Sequence, residues 1–253
     1  MRQQGAVTYS VYSYSERPEL ETRGDDLGGQ WPAFIFHDPL LPKYYPPLYA
    51  RWGAFQLYWC DDLDTTAAAC GSVPLAWDGT VDDLPEGWDG ALVRGVEGAE
   101  RGVPPTALCA LHVTVSPRHV GRGVSAMVVE EMCALAREHG FDALMAPVRP
   151  TLKSRYPRMP IEQYVCWRRG DGLLFDPWMR THERLGARIL KVADRSMTIV
   201  GTVAEWEAWT GLEFPASGSY VVPGALVPVR IDREADRGEY VEPNVWMVHP
   251  LAR

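Results

Sequence analysis

The sequence predicts a mixed α/β fold, a mostly antiparallel central sheet with helices on both faces, and three observations lead there. A near-continuous apolar run at residues 107–115 ends at Ser116 and Pro117, passes a turn holding Gly121 and Gly123, and enters helical periodicity over 124–139. A second buried run follows at 141–148, so strand, glycine turn, helix and strand form one βαβ unit. Ahead of it, residues 55–60 and 67–77 read as two strands joined by the polar turn 61–64, a hairpin and therefore an antiparallel pair.

The remaining elements follow in chain order. Residues 7–14 alternate loosely, with Val7, Tyr9 and Val11 set against Thr8, Ser10 and Ser13, as an early strand does. Residues 31–52 are apolar and aromatic, but Pro32, Pro39, Pro42, Pro46 and Pro47 bar one regular helix; short helical turns are expected, either covering a pocket or packed as a plain loop. The Gly- and Asp-rich stretch 78–105 predicts a loop with one short helix near 88–96. In the central helix Val124, Met127, Val128, Met132, Leu135 and Ala136 share a face, and Gly140 stops it. Asp176 and Pro177 open a short helix over 177–185 as cap and first-turn proline. Late strands are expected at 189–192, 198–203 and 225–231, with a last one at 245–248.

Composition bounds the rest. The 253 residues fit one domain spanning 1–253, with insertions near 78–105 and 151–175. Apolar residues at 46% and charged residues at 23% describe a soluble globular protein. A net charge of −8 repels a phosphate backbone, which excludes general nucleic-acid affinity while leaving room for a local basic pocket. No apolar stretch nears the roughly 18 residues of a membrane span, so no membrane partner is expected. The five cysteines form no CxxC pair, which argues for a reducing compartment and against both a disulfide framework and a metal site. The first thirty residues are polar and acidic, with no secretory pattern; the expected location is cytoplasmic.

The chemistry concentrates at residues 118–125. Gly121 and Gly123 let the backbone approach a bulky anion, the amides entering the helix point one way, and the helix dipole favours negative charge there. Arg118 and Arg122 add positive charge beside it. No Gly-Lys-Ser/Thr follows, so this is not a P-loop, and a dinucleotide fingerprint needs glycine at 126, where Ala126 stands. On the residues alone, an alanine-tolerant dinucleotide site and a plain tight turn both stay open.

The run Arg118, two residues, Gly121, one residue, Gly123, placed after an apolar strand ending Val115, Ser116, Pro117 and before an amphipathic helix, resembles the acyl-CoA site of the GCN5-related N-acetyltransferases. A second match lies at 181–187, where Leu185 and Gly186 close a short helix before the next strand. The resemblance covers roughly 107–192. It implies a fourth strand splayed from the fifth, with pantetheine in the gap beside the backbone of Val113 and Val115. It also implies a pyrophosphate on Arg118, His119, Val120, Gly121, Arg122, Gly123, Val124 and Ser125, chiefly on the amides of 120–125. The implied co-substrate is acetyl-CoA or a related acyl-CoA thioester, without a metal. The implied activity is direct acyl transfer to an amine of a small-molecule acceptor; an acyl carrier protein is a further donor or partner to consider. The alternative is an acyl-CoA or carrier-protein binder with a different role, such as decarboxylation or regulation.

Departures from the pattern bear on catalysis. Many relatives hold a tyrosine that protonates the leaving thiolate where this chain has His182, so imidazole is the expected acid, with simple packing as the other reading. The place of an early glutamate base falls near Ala107; His112 is the nearest ionisable residue, and a lone histidine in an apolar strand is also a common core residue. The stretch 151–175 carries Tyr156, Tyr164, Trp167, Arg168, Arg169 and Asp171, as an acceptor pocket or as a surface excursion, and Arg149 and Lys153 at its mouth are within reach of a phosphate. Cys166 with His182 lacks any nucleophile turn and is set aside as a hydrolase pair.

Overall fold

Apolar runs with no polar alternation belong to strands covered on both faces, and the computed structural model places three such runs at the centre of one sheet. It describes residues 7–27 and 31–251; residues 1–6 and 28–30, part of the stretch read as lacking a leader, lie outside the described residues, as do 252 and 253. The described elements are β1 (Ser10–Ser13), α1 (Leu41–Tyr44), α2 (Pro46–Trp52), β2 (Gln56–Cys60), β3 (Thr66–Leu75), α3 (Trp88–Glu100), β4 (Ala107–Val115), α4 (Val124–Glu138), β5 (Ala143–Val148), α5 (Ile161–Tyr164), α6 (Pro177–Arg184), β6 (Arg188–Gly201), α7 (Val203–Thr210), β7 (Gly218–Tyr220), β8 (Val229–Asp232) and β9 (Arg237–Pro250).

Neighbouring strands run β1, β2, β3, β4, β5, β9, β8, β7, with β6 also on β9. Among the described strands only β4 and β5 are parallel; the βαβ crossover through α4 requires it. All other pairs are antiparallel. Every residue of β2, β3 and β5 is buried. One face of the sheet packs on α3, α7 and the proline-rich turns, around Phe34, Trp88, Trp206 and Trp246. The other packs on α4 and α6, around Val128, Met132, Leu144 and Met247.

Several elements depart from expectation for local reasons. β6 is one strand of 14 residues, not two, because the register shift between Ala193 and Met197 carries the polar Asp194, Arg195 and Ser196 through a bulge. β9 begins at Arg237, well before the expected 245, since Glu242, Pro243 and Asn244 mask its alternation. α7 occupies ground read as strand end and loop. Its signals are the capping box of Thr202 with Glu205 and the left-handed Gly211 at φ 67°. α3 runs on to Glu100 and buries Trp88, Ala91, Leu92, Gly95 and Val96, so this stretch supplies core. In 151–175, Tyr156, Tyr164, Trp167 and Phe175 pack on one another at centroid distances of 5.0 to 6.2 Å, an aromatic cluster of its own.

Candidate active site

Two parallel strands that part after a short ladder leave main-chain groups unpaired between them, and β4 and β5 do this. They pair only at Ala107 with Ala143, Leu108 with Leu144 and Cys109 with Met145. Beyond, β4 follows β3 to Val115 while β5 follows β9 to Val148. Where they diverge, Gly71 opposes His112 and Ser72 opposes Ala110, so Leu111 is an extra residue in β4. Its carbonyl accepts a hydrogen bond from Trp88 Nε1 at 2.7 Å, which ties α3 to the bulge. A cavity of about 1290 Å³ occupies the gap and opens to both faces of the sheet. Pockets for one drug-sized ligand run to roughly 1,000 Å³, so two reactants fit.

On the α4 face the wall is the glycine turn. Gly121 and Gly123 have φ of 81° and 80°, and a Cβ built on either meets nothing within 4 Å. Gly123 caps α4 without a side-chain hydrogen bond, while Ala126 and Met127 donate back to its carbonyl. Among the described residues the amides of Val120, Gly121, Val124 and Ser125 find no protein acceptor. Open space above four free donors at a helix start suits the diphosphate of coenzyme A. Val113 and Val115 lie on the splayed part of β4 and line the same cavity. Arg118 and Arg122 are exposed beside the turn, outside the lining. His119 also lines the cavity. Its amide donates to Ser116 and its buried ring is held by Tyr9 Oη at 2.9 Å and Asp61 at 3.5 Å, so it braces the turn from below.

His182 does not fit the proton donor expected there. It is 1% exposed, and its Nδ1 lies 2.8 Å from His249 Nε2. His249 Nδ1 lies 3.4 Å from the Leu185 carbonyl, which only accepts, so that nitrogen carries the proton. His249 Nε2 is then an acceptor, His182 Nδ1 the donor, and His182 Nε2 a bare lone pair without a partner among the described residues. Burial, then the neighbouring His249, pushes the His182 pKa down to about 3. At neutral pH its one proton is committed to His249 and Nε2 has none to give.

On the opposite face the wall is assembled from distant residues. His112 is half-buried, with its ring over Gly71; a Cβ on Gly71 would come within 2.5 Å of His112 Nε2. Burial lowers its pKa to about 4, leaving a neutral imidazole without a hydrogen-bond partner among the described residues. The floor is a charge-balanced network. Arg149 Nε donates to both Glu242 oxygens at 2.9 and 3.0 Å and its terminal nitrogen to the Gly224 carbonyl, while Tyr240 Oη donates to Glu242 at 2.8 Å. Asn244 Oδ1 accepts from Ser196 Oγ, which accepts from the Trp88 amide. Arg149 is thereby held away from any phosphate, and Lys153, fully buried, donates to the carbonyls of Tyr156 and Leu226. The aromatic stretch 31–52 lines this side through Trp31, Ile35, Tyr45 and Tyr49, whereas the aromatic cluster of 151–175 stays outside it. Sequence reading missed Trp88, Glu242 and Asn244. A signal existed: Tyr240, Glu242, Asn244 and Trp246 alternate on one face of an otherwise apolar run.

A protein of Aspergillus versicolor named arginine N-acetyltransferase avaD is 36% identical over 275 residues, which cover 96% of this chain and 94% of that protein. No family profile matches the chain. Among solved structures, the loading GNATL domain of CurA from Lyngbya majuscula superposes with a TM-score of 0.58 at 16% identity, covering 96% of this chain and 98% of that one. The GphF GNAT-like decarboxylase in complex with isobutyryl-CoA superposes with a TM-score of 0.51 at 16% identity, covering 97% and 100%. At such identities the two structures speak to the fold.

Proposed function

The chain belongs to the GCN5-related N-acetyltransferase superfamily and is an N-acyltransferase; from that premise we propose that it carries an acetyl group from acetyl-CoA to a nitrogen of arginine or an arginine-like small molecule. The observation that carries the donor assignment is the turn 118–125, whose unpaired amides border the gap between β4 and β5. The acceptor follows from the relative's name and from the part of the same cavity that lies on the other side of the sheet, lined by Trp31, Ile35, Tyr45 and Trp88.

Bound coenzyme A thioester would supply the electrophilic carbonyl. The protein then holds both reactants in contact and offers main-chain N–H groups near the Leu111 bulge to the developing oxyanion. One N–C bond forms, one C–S bond breaks, the acceptor nitrogen loses a proton and the sulfur gains one. A histidine with a pKa near 4 is a weak base, so His112 is suited to accepting a hydrogen bond from the acceptor N–H and orienting its lone pair, with water taking the proton onward. Neither His112 nor His182 carries charge at neutral pH.

Thiol release from acetyl-CoA is the direct test. Arginine is expected to accelerate it well above the buffer rate, with an acetylated product by mass spectrometry. If no amine in a broad panel does so while coenzyme A still binds in a calorimeter, the chain is a thioester binder with another role.

A further inference from the structure

The polar lining of the acceptor chamber is unevenly charged. Its floor is neutral, because Arg149 and Glu242 cancel. At the solvent edge, Glu21 lines the chamber with Tyr14, Tyr45 and Tyr49. Glu21 has no hydrogen bond or ion pair among the described residues, although two arginines flank it in sequence. Both are committed elsewhere: Arg17 binds Asp64 at 2.7 Å and Arg23 binds the same carboxylate at 2.8 Å. The protein thus holds its own cations off this carboxylate.

The rings beside it point the same way. Tyr14 and Tyr49 meet edge to face at 4.8 Å, Tyr45 and Tyr49 at 5.9 Å, and Tyr45 lies parallel to Trp88 at 6.5 Å. Aromatic faces carry negative potential and attract cations, most strongly where water is scarce. Burial first, then the neighbouring Tyr49 for Tyr45 and the Glu21 charge for Tyr49, pushes both phenols above their usual range, so they stay protonated. Their oxygens accept hydrogen bonds without adding a second negative charge.

We propose that Glu21, with the rings of Tyr14, Tyr45 and Tyr49, seats a cationic group of the acceptor, and that this seat selects charged acceptors over neutral ones of the same shape. A guanidinium suits it best: it is planar, stacks on phenol rings and offers paired donors to one carboxylate. The seat rests on the N-acyltransferase reading for its role, while binding of a cation there is measurable without turnover.

Arginine and citrulline form the matched pair, equal in shape and different in charge. With coenzyme A-loaded protein in a calorimeter, arginine is expected to bind at least tenfold tighter than citrulline. Its affinity should weaken between 50 and 300 mM salt while that of citrulline does not. Glu21→Gln is expected to weaken arginine about tenfold and to close most of the gap; Glu21→Asp should keep part of the preference and its salt dependence. In kinetics, the Glu21→Gln loss should fall on KM rather than kcat. Equal binding of arginine and citrulline by the unaltered protein, or an arginine affinity unmoved by Glu21→Gln with circular dichroism unchanged, overturns the seat. Absence of turnover with normal, Glu21-dependent arginine binding leaves the seat standing and removes the transferase reading instead.

Discussion

The donor end and the acceptor end of the cavity are built by opposite means. The donor wall comes from one short turn within residues 118–125, and its working atoms are backbone amides released by two left-handed glycines. The acceptor wall draws on Glu21, Tyr45, Trp88, His112, Arg149, Glu242 and Asn244, from nearly the whole chain, and works through side chains held by packing. A main-chain site depends on local conformation and tolerates change around it. A side-chain site depends on the fold being right everywhere, and can change specificity through single substitutions.

The largest expected effect breaks the donor end alone. Gly121→Asp places a side chain and a negative charge in the space above the turn, while the φ of 81° adds only about 1 to 2 kcal/mol of backbone strain. We expect coenzyme A affinity to fall by more than 100-fold by calorimetry with the fold retained. Gly140→Asp is the control: its φ of 73° imposes similar strain at the far end of α4, and affinity should stay within about twofold. Equal losses in both variants would mean that strain, and not the occupied space, governs binding.

A smaller effect is expected where the acceptor wall meets the bulge. The added methyl of Gly71→Ala would sit 2.5 Å from His112 Nε2 and 2.9 Å from Gln56 Oε1. Gln56 is not free to yield, since its amide donates to the Ser72 carbonyl and its oxygen accepts from the Ser72 amide, pinning the bulge. The histidine must move. Turnover with saturating acceptor should drop about tenfold with coenzyme A affinity nearly unchanged; a normal kcat would remove His112 from the reacting geometry.

The same contrast explains what could be read from the sequence. β4 coincides with the apolar run 107–115 and α4 with its periodic stretch to within a residue, because the βαβ unit and its glycine turn are set by neighbours in the chain. Trp88 and Asn244, which meet through Ser196, are 156 positions apart, and no local pattern announces such a meeting. Glu242 was passed over because its partner, Arg149, arrives from another strand end. His182 shows the converse: its place in the chain suggested an acid, and only the hydrogen-bond chain through His249 to Leu185 reveals which nitrogen bears the proton.

The smallest expected effect is a pH dependence confined to the acceptor side. Asp38, just past the turn Ala33–His37, lies against Asp89 in the first turn of α3. Asp38 Oδ1 accepts from the Leu40 amide and Asp89 Oδ2 from the Thr198 amide, which leaves one buried oxygen on each without a donor. A proton kept between them satisfies both. Burial, then the charge of Asp38, raises the Asp89 pKa to about 8. A carboxyl that is harder to ionise in the folded state binds more protons there than when unfolded. Its stabilising contribution is therefore complete below pH 4 and is lost as pH rises through about 8. Asp89→Asn supplies the donor permanently, so at pH 8.5 its Tm should exceed that of the unaltered protein, by roughly 2 to 4 °C per kcal/mol recovered. The difference should shrink as pH falls and nearly vanish below pH 4. Because the pair anchors the proline-rich cover and not the glycine turn, raising the pH should increase KM for the acceptor while coenzyme A affinity stays level. A parallel loss of both would show that the two ends of the cavity are coupled through the sheet.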